Sequence, residues 1–133
     1  MTRLQVRPVH HDQGDAHVLA LVGELDLDSE DVLASAVDVV LRARQDGPAR
    51  RSRLVLDCGG LTFCDSRGLG LLLTIRQKLE DAGDVLVLAD PTPQLLRTLE
   101  LTGADQVLTL VDGVSEAVLP ASPREPLTGE SGG

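Results

Sequence analysis

Aromatic side chains are almost missing: Phe63 is the only phenylalanine, and Trp and Tyr do not occur in the 133 residues. The core must therefore be built from Leu, Val and Ala, and aromatic stacking has almost no material. Lysine is nearly missing too, with Lys78 alone. Twelve basic residues stand against twenty-one acidic ones, a formal charge of -9. Such a chain repels phosphate backbones, so nucleic acid is not an expected ligand. Cysteine is scarce: Cys58 and Cys64 lie six apart around what reads as a glycine turn, without zinc-type partners. Neither a disulfide framework nor a metal site is expected, and both read as reduced core thiols. The opening "MTRLQVRPVHHD" holds no long apolar run. No signal peptide or membrane span is expected, which makes the cytoplasm the default compartment.

What is present is periodic. "TRLQVRPV" and "AHVLALVG" flank the polar "HHDQGD" and read as a strand hairpin. Val32, Leu33, Ala36, Val37, Val40 and Leu41 recur at helical spacing, with Ser29 or Asp28 placed to cap the start. "RLVLDCGG" is a short apolar run bounded by glycines, as a buried central strand requires. Helix from Ser66 to Ala82, strand at "VLVLA", a proline-started helix ending at Gly103, strand at "QVLTLV" and a short helix at "DGVSEAVL" complete the alternation. This order predicts an α/β sandwich with a mixed, mostly parallel sheet, an N-terminal hairpin and about four helices. The domain is expected over residues 1–119. Residues 120–133, rich in Pro, Gly and Ser, read as a disordered tail. Arg42, Arg44, Arg50, Arg51 and Arg53 form a local basic group, read as a solvated helix end with a docking patch as the alternative.

Enzyme motifs fail on particular residues. A nucleophile elbow around Ser66 has Gly68 but Cys64 where the first glycine belongs, and His10, His11 and His17 all precede the serine, in what reads as a solvated turn. A dinucleotide loop after Gly68 and Gly70 has Leu73 in its third glycine position, and no phosphate loop occurs. Asp57 at a strand end suits a receiver domain, but the acidic pair and late lysine of that site are missing.

The polar knot "DSR" at Asp65, Ser66 and Arg67 stands between a strand and a leucine-rich helix. Ser66 or Asp65 is placed to cap that helix. Leu69 at the third helical position rules out the reciprocal capping box. Gly68 and Gly70 each cost about 1 kcal/mol relative to Ala in a helix, and such glycines leave a serine uncovered and let another chain approach. A phosphate on Ser66 would sit beside the positive end of a helix. Glu24 and Asp26 of "GELD", if at the same sheet edge, would make the neighbourhood negative together with Asp65.

Three pieces, "GELD" (Gly23–Asp26), "LVLDCGGLTFCDSRGLGLLL" (Leu54–Leu73) and "LTGADQVLTL" (Leu101–Leu110), resemble the anti-sigma factor antagonists, whose fold is the STAS domain. The resemblance runs from about Leu4 to Leu119. It implies that Ser66 is a phosphoacceptor and that Asp26 and Asp65 are the acids beside it; no cofactor or metal is expected. It further implies an anti-sigma factor with a histidine-kinase-like ATPase fold as partner, a sigma factor released when the unmodified form binds it, and a PP2C-type serine phosphatase to reverse the mark. The expected docking residues are Glu24, Asp26, Asp65, Ser66, Arg67, Gly68 and Leu69. Arg67 departs from the pattern, which has a small hydroxyl residue there; its cation would pair with Asp65 or with the phosphate. The alternative reading is a scaffold of the same fold that is never phosphorylated.

Overall fold

A computed structural model of the chain describes residues 3–9, 16–45 and 52–114. In chain order it holds β1 (Gln5–Val9), β2 (Ala16–Leu25), a 3-10 turn (Leu27–Ser29), α1 (Glu30–Gln45), β3 (Arg53–Cys64), α2 (Ser66–Asp81), β4 (Val85–Ala89), α3 (Pro93–Thr102), a second 3-10 turn (Ala104–Gln106) and β5 (Thr109–Val111). The five strands form one sheet in the order β1-β2-β3-β4-β5. β1 and β2 are antiparallel, and the remaining pairs are parallel.

That order fixes where the helices lie. Each new strand is added on the same side of the last and parallel crossovers are right-handed as a rule, which agrees with α1, α2 and α3 sharing one core on one face of the sheet. The leucines follow. Leu19 and Leu21, Leu54 and Leu56, and Leu86 and Leu88 point from successive strands into one core with Leu33 and Val37 of α1, Leu72, Ile75 and Leu79 of α2, and Leu95 and Leu99 of α3. Their alternate neighbours Val18, Val55, Val87 and Ala89 form a smaller cluster, as period-2 side-chain alternation requires.

The mixed α/β sandwich with its opening hairpin is as the sequence predicts, with three helices and two 3-10 turns among the described residues. The hairpin turn, most of the expected last helix and the tail lie outside those residues. Three local expectations are corrected. Gly59 and Gly60 make no turn between the cysteines; they lie within the twelve-residue β3. A Cβ at Gly60 would meet the Leu21 carbonyl oxygen at 2.9 Å, at a place where the β2–β3 register shifts between Ala20 and Val22, so glycine here serves a bulge. His17 sits in β2 opposite Leu54, half-buried, and not in a solvated turn. The first helix is capped by neither Asp28 nor Ser29 but is entered through the 3-10 turn, whose N-cap is Asp26.

Candidate functional site

The carboxyl ends of the two longest strands come together. Leu25 closes β2 opposite Cys64, which closes β3. The Asp65 backbone N–H then donates to the Leu25 carbonyl at 3.3 Å, adding one more rung beyond the strand. Both chains turn into helical segments from this point, so Asp26 and Asp65 stand at adjacent strand tips, the edge where open α/β sheets commonly bind ligands.

Of the two candidate caps, Asp65 is the one used. Its backbone is extended, and its Oδ1 accepts from the Gly68 N–H at 2.9 Å, while its carbonyl accepts from Leu69 N–H. Ser66 is thereby displaced into the first helical position of α2. It is exposed, and its hydroxyl has no hydrogen-bond partner among the described residues. Arg67 follows it, also exposed.

Gly68 has a role different from the open approach expected of it. It is buried, and a Cβ there would meet the Leu25 carbonyl oxygen at 2.5 Å, Leu25 Cγ at 2.8 Å and Cys64 Sγ at 3.0 Å. Glycine at this position lets the first turn of α2 rest on the end of β2. Leu69, 6% exposed, begins the buried stripe Leu69, Leu72, Ile75 and Leu79. Neither residue presents a side chain to an incoming surface. The glycine that leaves the serine uncovered is Gly70, one helical turn beyond it, whose missing Cβ faces nothing within 4 Å.

Asp26 is committed to its own turn. Its Oδ1 accepts from Asp28 N–H at 3.1 Å, and its N–H donates to Ser29 Oγ at 2.8 Å. The Ser29 hydroxyl, 3% exposed, lies 2.9 Å from the Glu24 carbonyl oxygen and 3.2 Å from Asp26 Oδ1, with one proton to share between them. The reciprocal pair Asp26 and Ser29 is a capping box written D-x-x-S instead of S-x-x-E. That spacing is the signal by which this support could have been read in the sequence. A second support, Gln94 of α3, leaves no such trace. Its Nε2 donates to the Cys64 carbonyl at 3.4 Å and ties α3 to the same edge.

The electrostatics of the edge are acidic. Glu24, Asp26, Asp28 and Asp65 stand there against Arg67, with Arg3 beside Glu24 through a backbone β-bridge. Cys64, buried behind the site, has its thiol pushed up to about 12 by burial first and by the Asp65 charge second; burial, then Asp57, push Cys58 higher still. The folded state therefore disfavours both thiolates. Stability from this source is intact below the unfolded value of 9.0 and declines as pH rises from there toward 12. Iodoacetamide at pH 8 is expected to leave both cysteines of the native chain unmodified and to label both in denaturant. Native-state labelling would mean that the edge opens.

Among the described residues, no group of His, Cys, Asp and Glu is arranged to hold a metal ion, and no helix is long and apolar enough to cross a membrane.

Comparison with known proteins agrees with the fold. A family profile described as Mlab, STAS domain, matches residues 10–112. An anti-sigma F factor antagonist from Paenibacillus polymyxa is 27% identical over 115 residues, covering 86% of this chain and 92% of the relative. The crystal structure of an anti-sigma factor antagonist from Mycobacterium paratuberculosis superposes with a TM-score of 0.69 at 25% identity, covering 86% of this chain and 90% of the other. The Bacillus cell fate determinant SpoIIAA in its phosphorylated form shares the fold, with a TM-score of 0.59 at 22% identity over 86% of this chain and 96% of that one.

Proposed function

The chain belongs to the STAS domain family, and from that premise we propose that it is an anti-sigma factor antagonist whose docking face is switched by phosphorylation of Ser66. The observation that carries the reading is the placement of that hydroxyl: exposed, without a partner among the described residues, and set at the start of α2 because Asp65 has taken the cap. The relatives named as anti-sigma factor antagonists lend it further support.

In the unmodified state the edge formed by Glu24, Asp26, Asp65, Ser66 and Arg67 docks an anti-sigma factor, and the sigma factor that it held goes free. Gly68 and Leu69 act from beneath this surface. The anti-sigma factor is a serine kinase with a histidine-kinase-like ATPase fold. Ser66 Oγ forms the bond to the γ-phosphorus of ATP, the bond from that phosphorus to the β–γ bridging oxygen breaks, and ADP leaves. The hydroxyl proton passes to a base on the kinase. The chain supplies an acceptor and a surface, catalyses nothing, and works in the cytoplasm. A PP2C-type phosphatase restores the hydroxyl.

The phosphate brings a charge of about -1.5 to -2. At a helix N-terminus that charge is favourable by about 0.3–1 kcal/mol, so the fold tolerates it. Toward a partner fitted to a neutral hydroxyl on an already acidic edge, the same charge is repulsive. Incubated with the anti-sigma kinase of its own genome and ATP, the chain is expected to gain one phosphate by intact mass, and Ser66→Ala to gain none. Incorporation that persists in Ser66→Ala would remove Ser66 from this role.

A further inference from the structure

We infer that Arg67 is a specificity determinant of the docking face, held free to meet an acidic side chain of the partner protein. This rests on the proposed docking role of the edge and names the chemistry that it recognises.

Arg67 is poorly placed for its own fold. It is the second residue of α2, at the end where the helix dipole favours anions and disfavours cations, and no acidic residue in the first turn offsets it. It makes no hydrogen bond or ion pair among the described residues. The expected pairing with Asp65 is not formed; Asp65 Oδ1 instead accepts from the Gly68 N–H. Pairing with a phosphate on Ser66 is disfavoured as well, since adjacent helical residues point in different directions. An exposed cation with no partner among the described residues, in a chain of charge -9, is a local conflict of the kind found at functional positions.

Its surroundings fit a protein surface. Phe63, two residues before Asp65, is 42% exposed, and Leu27, in the turn that follows β2, is 54% exposed. Gly70 leaves the adjoining helix face open. Apolar area at the same edge as a projecting guanidinium suits a partner that presents a carboxylate beside apolar side chains.

The test uses the kinase that modifies Ser66 in the assay above, with docking measured on the unphosphorylated chain. Arg67→Glu is expected to weaken docking by about 30-fold or more and Arg67→Ser by roughly 5-fold. Added salt should weaken the wild-type complex more than that of Arg67→Ser, and reversing one acidic residue of the partner should recover most of the affinity of Arg67→Glu. In the free chain Arg67→Glu should raise Tm by about 2 °C, because the conflict with the helix end is relieved. Affinity for Arg67→Glu within about twofold of wild type, or equal salt-independent losses in both variants, would overturn the inference. Such a result leaves the Ser66 switch standing, whereas absence of any docking by the wild-type chain strikes the functional reading itself.

Discussion

Replacing Gly68 with alanine is expected to destabilise the chain by about 2 kcal/mol, and the same change at Gly70 to stabilise it by up to about 1 kcal/mol. The two glycines sit two residues apart in the same helical turn, and neither has a positive φ. Helix propensity alone predicts a gain at both. The difference lies in what a methyl group would meet. At Gly68 it would press on the Leu25 carbonyl oxygen, which already accepts from Asp65 N–H and cannot swing away without losing that bond. Leu25 Cγ and Cys64 Sγ close the other sides, and both residues belong to the main core. At Gly70 the space is open. Urea titration with an unchanged m-value should resolve the opposite signs, and Tm should fall by roughly 8 °C for Gly68→Ala. A neutral or stabilising Gly68→Ala would mean that α2 is not seated on the end of β2.

Ser66→Asp is expected to weaken docking of the anti-sigma factor by about 30- to 100-fold, corresponding to about 2–3 kcal/mol, while Ser66→Ala stays within about threefold of wild type. The added carboxylate lies at an edge that already carries Glu24, Asp26, Asp28 and Asp65. The fold itself should not suffer: an acid in the first helical position is favourable, so Tm of Ser66→Asp should be unchanged or slightly higher. Lower affinity with unimpaired stability separates a charge switch from damage. Equal affinity for the Ser, Ala and Asp forms, measured by calorimetry, would favour a docking module that is never switched.

Much of this was legible in the residues. Apolar stretches bounded by turn residues marked β2 and β4, a 3.6 period marked α1, and Gly103, at φ 81°, ended α3 where the sequence placed its end. The neighbouring positions of Asp26 and Asp65 were conditional on topology, and the parallel β2–β3 pairing satisfies that condition. The errors share a cause. Glycine has no side chain to pattern, so Gly59 and Gly60 read as a turn although they lie in β3, and Gly68 read as open although it is the most enclosed of its turn. Which glycine is crowded depends on Leu21 and Leu25, some forty residues away in the chain. Ser29 was placed at the helix start but its pairing with Asp26 went unread, and Gln94 left no trace because it acts through the Cys64 backbone carbonyl.

The margins of the sheet have a consequence for behaviour at high concentration. Among the described residues one rim is β5, only three residues long, and the other is β1, which carries Pro8 with no amide hydrogen to offer. Neither rim gives a second copy a long row of free donors and acceptors to zip onto, so fibre-like stacking is discouraged on both sides. Copies of the chain at high concentration therefore gain little from adhering strand to strand.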